Sequence, residues 1–167
     1  AGEVDATRID ALERTHFAHV FSGKVWGAHH LARALAGRPL DFFVSFSSIA
    51  SVCGSYGQAP YAAANAYLDA LTDWLRQQGI PGCSVNFGPW SMGMADEEAR
   101  ERLAKRGVLE LSPELALSGL KAVMESARGR GVVARIDWAR FLPVFQLQSR
   151  RAFLQEFEKE KPEADEL

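Results

Sequence analysis

The run DFFVSFS at residues 41–47 constrains this chain more than any other stretch. It is rich in strand-forming residues and nearly unbroken in apolar character, which fits a central parallel strand buried on both faces better than an edge strand. Small residues follow from Ser47 to Gly57 and read as a loop. A helix then runs from about Pro60 to Gln78, with proline in the first turn where its missing N–H costs nothing. Gly79-Ile80-Pro81-Gly82 ends that helix, CSVNF (83–87) supplies a second strand, and GPW (88–90) breaks it.

The rest of the chain repeats the alternation. Apolar residues Leu12, Phe17, Val20, Phe21, Val25, Ala28, Leu31 and Leu35 recur at helical spacing and predict one long helix from about Ile9 to Ala36. Asp96 is placed to cap a short helix reaching Arg106, with Glu98/Arg102 and Glu101/Lys105 pairs along it. Ser112-Pro113-Glu114 opens a further helix to about Ala127, with Leu117, Leu120 and Met124 on one face. GVVARI (131–136) reads as a third strand. Helix and strand in alternation predict an α/β fold with a parallel sheet. Three strands make a thin sheet, as expected of part of a larger unit.

Composition narrows the function classes. A hydrophobic fraction of 47%, a charged fraction of 24% and a net charge of −2 describe a soluble globular chain without the basic surface that nucleic acid requires. No run approaches the roughly 18 apolar residues of a membrane span, and the acidic start AGEVDATRID is unlike a signal peptide. The two cysteines, Cys53 and Cys83, read as thiols of a cytoplasmic protein. His16, His19, His29 and His30 share one early helix without an acidic or cysteine ligand, so a structural role outweighs metal binding.

Four residues stand out chemically. Ser48 lies just past the end of the first strand, where α/β sheets present ligands. Tyr61 begins the next helix, in the stretch YAAANAY, and Asn65 lies one turn further on the same face. Lys24 sits in the early helix between Gly23 and Gly27. A phenol of ordinary pKa near 10 donates a proton more readily beside an ammonium, and a serine hydroxyl can hold a carbonyl oxygen. The chemistry indicated is protonation of an oxygen while a hydride reaches its carbon. Each residue taken singly has a plainer reading: a helix-start aromatic, a surface amide, a solvated charge, a turn cap.

Together they carry a resemblance. FFVSFSSIASVCGSYGQAPYAAANAYLDAL, flanked by KVWGAHHL and SVNFGPWSMGMA in order, closely resembles the ketoreductase domains of modular polyketide synthases, in the short-chain dehydrogenase/reductase superfamily. The resemblance runs from Ala1 to about Phe145. It implies the C-terminal part of a Rossmann-type parallel sheet flanked by helices, with residues 1–147 as the catalytic half of a ketoreductase and residues 148–167 as a charged linker toward a carrier protein.

By the same resemblance the catalytic residues are Lys24, Ser48, Tyr61 and Asn65, Asn65 standing where most of the superfamily has lysine. Tyr61, Pro89 and Trp90 would face the cofactor NADPH, and Cys53, Gln58, Met92 and Met94 the acyl group, under a lid from Ser91 to about Leu109. The implied partners are an acyl carrier protein bearing a β-ketoacyl thioester, other synthase domains, and an N-terminal cofactor-binding half with its structural subdomain. A glycine-rich dinucleotide motif is expected in that half, since this sequence has none. The implied alternative is a catalytically silent segment kept as scaffold. Markers of product configuration are blurred: Val4-Asp5-Ala6 replaces Leu-Asp-Asp, and Cys53 occupies the position of a tryptophan. Gln58, three before Tyr61, resembles enzymes that do not epimerise an α-methyl group.

Overall fold

The computed structural model describes residues 6–93, 96–147 and 152–160. In chain order they form α1 (Arg14–Phe21), a π-helical turn (Ser22–Gly27), α2 (Ala28–Ala34), β1 (Phe43–Ser48), α3 (Ala50–Cys53), α4 (Ala59–Gln77) and β2 (Gly82–Phe87). There follow α5 (Glu97–Lys105), β3 (Val108–Leu109), α6 (Pro113–Glu125), β4 (Arg130–Val133), β5 (Arg135–Ile136) and α7 (Trp138–Phe145). Two compact units result. One holds the described residues up to Phe87 together with Glu114–Val133, the other Gly88–Pro113 and the described residues from Ala134 onward.

The first unit is built on a parallel sheet in the order β1-β2-β4, with Phe43 opposite Gly82 and Ser48 opposite Phe87. Every residue of β2 is buried, as expected of its central place. β1 differs from the two-side-buried strand its composition predicts. It lies at the edge of the described sheet, and its buried face carries Phe43, Ser45 and Ser47 while Phe42 and Phe46 stay exposed. The serines pack toward α4, where Thr72 Oγ1 donates to Ser45 Oγ and Ser47 Oγ donates to the Asn65 carbonyl. Alternation along a pleated strand therefore sends Ser45 and Ser47 inward with Phe43, and Phe46 outward.

Helix α4 covers that face. Leu71 and Leu75 join Ala32 and Phe43 in one apolar cluster, and Ala64 joins Val20 and Val25 in another. The early helix is shorter than its periodicity predicts. Ile9–Ala11 is a separate 3₁₀ turn, and α1 starts at Arg14 with a capping box between Glu13 and His16. The expected loop after β1 contains the turn of helix α3.

On α6 the buried residues are Ala116 and Val123, whereas Leu117 and Met124 are exposed, correcting the face expected from leucine spacing. Small residues let this helix approach closely: a Cβ on Gly119 would collide with both methyl groups of Val133. The GVVARI strand is split at Ala134, with β4 pairing in the first unit and β5 pairing antiparallel with β3 in the second.

The second unit contains α5, capped as expected by Asp96 Oδ1 accepting from Ala99 N at 2.7 Å and carrying the Glu98–Arg102 pair. Asp137 caps α7 in the same way. Within residues 148–167, expected as linker, Ala152–Glu160 winds into 3₁₀ turns. There Leu154 is buried and Phe157 stacks on Trp138 at 4.0 Å. Residues 148–151 and 161–167 lie outside the described residues.

Gly119→Ala should lower the unfolding free energy by about 1–3 kcal/mol, the usual range for overpacking a filled site. Adding Val133→Ala should return part of that loss, both read from urea unfolding curves. A neutral Gly119→Ala would show that α6 packs more loosely than described.

Candidate active site

The first unit gathers its polar side chains at the carboxyl end of β1. Ser48 is the last residue of that strand, half-buried, and its Oγ accepts a hydrogen bond from Ala50 N at 3.2 Å. That contact leaves the hydroxyl hydrogen for another acceptor. Tyr61 enters from the first turn of α4, half-buried against Val20, Val25 and Ala64. One turn on, Asn65 is fully buried and its Nδ2 donates to the Tyr61 carbonyl at 2.8 Å. Asn65 Oδ1 has no partner among the described residues, although it is buried. A buried acceptor left unpaired costs roughly 1–3 kcal/mol, and such atoms concentrate where a ligand or a moving proton completes them.

Lys24 reaches the same place from the opposite helix. The turn Ser22–Gly27 is wound with five-residue spacing, a local widening frequent at functional sites. It holds Val25 in the core while Lys24 extends along the sheet edge. Lys24 Nζ donates to the Phe46 carbonyl at 2.8 Å and sits 5.7 Å from the centroid of the Tyr61 ring, within cation–π range. Burial pulls the ammonium's pKa below its ordinary value, and the charge of Asp69 partly opposes that fall.

Beneath these groups lies a polar cluster that motif reasoning missed. Asp69 on α4 accepts from Ser84 Oγ at 2.6 Å on one carboxylate oxygen. Its other oxygen accepts from Asn86 Nδ2 at 2.8 Å and from Ser51 Oγ at 2.9 Å. The available signal was serine at every second place in an otherwise apolar strand, matched by Ser84 and Asn86 in the next.

Cys53 and Gln58 also belong to the first unit. Cys53 ends α3 half-buried and in no disulfide, and Gln58 precedes α4 with Oε1 accepting from Ser55 Oγ at 2.6 Å. Cys83 is also in no disulfide and is buried in β2. Pro89, Trp90 and Met92 fall in the second unit, where Trp90 bridges to Leu111 and Met92 is exposed. Met94 lies outside the described residues, as do Val4 and Asp5. Among the described residues no cluster of three metal-ligating side chains occurs, and no helix is long and apolar enough to cross a membrane. His29 Nδ1 instead pairs with the Tyr67 hydroxyl at 3.1 Å.

Asn65→Leu should leave the fold intact and raise the unfolding free energy by on the order of 1 kcal/mol, because it removes an unpaired buried acceptor. The Tyr61 carbonyl that loses its side-chain donor is inside a helix. A large fall in the urea midpoint would mean that Oδ1 is paired in the folded chain.

The KR domain family matches residues 1–92. The polyketide synthase GfsA of Streptomyces halstedii is 41% identical over 145 residues, covering 87% of this chain and 2% of the synthase. The pikromycin polyketide synthase component PikAIII of Streptomyces venezuelae is 38% identical over 148 residues, covering 87% of this chain and 9% of that protein.

Among solved structures, the ketoreductase from the first module of phoslactomycin biosynthesis in Streptomyces sp. HK803 superposes with a TM-score of 0.90 at 40% identity, over 97% of this chain and 38% of that one. A structure of A-type ketoreductases from a modular polyketide synthase gives 0.89 at 39%, over 93% of this chain and 33% of that one. The chain thus spans a small part of the synthases and about a third of the solved ketoreductases it matches. By the family model, these relatives and these structures, the chain belongs to the KR domain family, the ketoreductases of modular polyketide synthases within the short-chain dehydrogenase/reductase superfamily.

Proposed function

We propose that this chain carries the catalytic half of an NADPH-dependent reductase that converts a β-ketoacyl thioester on an acyl carrier protein to its β-hydroxyacyl form. The observation that carries this reading is the meeting of Tyr61, Lys24 and the unpaired Asn65 Oδ1 beside the strand end that bears Ser48. NADPH, when bound, supplies the hydride. By the family resemblance, Tyr61, Pro89 and Trp90 are the residues of this chain assigned to it. The unpaired acceptor on Asn65 and a phenol beside an ammonium fit a site completed by a polar cofactor and its waters.

The chain's own part is the handling of the oxygen. The Ser48 hydroxyl donates a hydrogen bond to the ketone oxygen, polarising the carbonyl. Tyr61 delivers the proton to that oxygen as the carbon is reduced, and the Lys24 ammonium stabilises the phenolate left behind. Asn65 accepts a hydrogen bond in the relay that reprotonates Tyr61. Cys53, Gln58, Met92 and Met94 are assigned to the acyl group. The N-terminal cofactor-binding half is assigned to the exposed side of β1, where Phe42 and Phe46 present apolar surface along an edge without a described strand.

Tyr61→Phe should leave circular dichroism and the urea midpoint unchanged while NADPH oxidation with a small β-ketoacyl thioester falls by about 10²-fold or more, the range for losing a general acid. The assay needs the ketoreductase with both halves present. Unchanged turnover would remove Tyr61 from the chemistry. A folded two-half protein without any turnover would favour a scaffold role instead.

A further inference from the structure

We infer that Asp69, which faces the interior rather than the substrate side, is the positioning residue for Ser48, holding the turn after β1 in the geometry the ketone oxygen requires. The inference rests on the reductase reading above.

Three features support it. First, Asp69 is 7% exposed, so its carboxylate is held almost wholly by protein groups. A buried carboxylate is tolerated only when its oxygens are hydrogen-bonded, and both are: Ser84 Oγ on one, Asn86 Nδ2 and Ser51 Oγ on the other. Second, two of those donors continue to Ser48 itself. Ser51 Oγ lies 2.8 Å from the Ser48 carbonyl and 2.9 Å from Asp69, its single hydrogen shared between them. Asn86 Nδ2 lies 3.4 Å from the same carbonyl, 2.8 Å from Ser51 Oγ and 3.0 Å from Ser47 Oγ.

Third, the donors come from separate elements: Ser51 from α3, and Ser84 and Asn86 from β2, while the acceptor sits on α4. A single carboxylate therefore fixes the helix that carries Tyr61 to β2 and to α3, the helical turn that follows Ser48. Ser47 Oγ, itself a partner of Asn86, closes the loop by donating to the Asn65 carbonyl at 3.2 Å. No part of this network touches the reacting atoms. Its effect is to place the Ser48 hydroxyl, and misplacement by about 1 Å is enough to cost on the order of 10²-fold in rate.

The test is a double-mutant cycle in the ketoreductase with both halves present, using the β-ketoacyl thioester assay. Ser48→Ala should lower kcat by about 10²-fold, as loss of an oxyanion donor does. Asp69→Ala should lower kcat by about tenfold to 10²-fold with KM changed less than about threefold. In the Ser48→Ala background, Asp69→Ala should cost less than about threefold more, because the group it positions is already gone. Asp69→Asn should recover most of kcat, since its amide oxygen still accepts from Asn86 and Ser51 and the Ser84 hydroxyl can turn to accept.

A wild-type kcat for Asp69→Ala, or a loss that multiplies fully with that of Ser48→Ala, overturns the inference. If Asp69→Ala does not fold, Ser51→Ala is read in the same cycle, because it removes the hydroxyl between Asp69 and the Ser48 carbonyl. A silent Ser48→Ala overturns the reductase reading and this inference with it. A damaging Ser48→Ala beside a silent Asp69→Ala overturns this inference alone.

Discussion

The first unit depends on a carboxylate placed inside it. Desolvating an ionised carboxylate costs several kcal/mol after relaxation, so Asp69 can sit between α4 and the sheet only if donors surround it. Ser84 and Asn86 on β2 and Ser51 on α3 provide them. That requirement explains an otherwise odd feature of β2, which is that its buried positions include Ser84 and Asn86. An apolar face there would leave the carboxylate unpaired. An apolar residue in place of Asp69 would take an acceptor away from three donors, Ser84 Oγ, Asn86 Nδ2 and Ser51 Oγ. Each choice enforces the other, and the parallel register of β1 on β2, Ser47 opposite Asn86, brings the set together.

Much of this fold was legible because it rests on local signals. The strand at 83–87, the helix around Tyr61, the Asp96 cap and the end of α4 near Gly79 all appear within two residues of where composition and turn chemistry put them. The misplacements share a different cause. β1 was read from its phenylalanines, yet the side it buries is the one bearing serines, because α4 supplies polar partners there. α6 was read from its leucines, yet it packs through Ala116 and Val123, with Gly119 letting it approach Val133. In both, a tertiary neighbour chose the face, and no local count of apolar residues contains that neighbour.

The site shows the same division. Tyr61, Asn65, Lys24 and Ser48 were singled out from motif order, and Tyr61 meets Asn65 through its carbonyl and Lys24 over its ring. Asp69 was not readable, since it serves residues that lie 15, 17 and 18 positions away along the chain. The widened turn at Lys24 was also invisible, because helical periodicity continues through it with only a shift of phase.

That turn bears on why asparagine stands four residues after Tyr61. Position 65 is fully buried between α4 and β1, with no exposed surface through which a side chain could stay hydrated. A lysine there would carry an unpaired charge into the interior, whereas an amide needs only hydrogen bonds. Asparagine donates one to the Tyr61 carbonyl of its own helix and leaves its acceptor, Oδ1, open. The positive charge then has to come from elsewhere. The turn Ser22–Gly27 lets Lys24 supply it from the neighbouring helix, anchored on the Phe46 carbonyl at the sheet edge and lying over the Tyr61 ring. Exchanging lysine for asparagine on α4 and widening the turn before α2 are thus two halves of one solution. The cation then lies next to the tyrosine without an ammonium being buried at position 65.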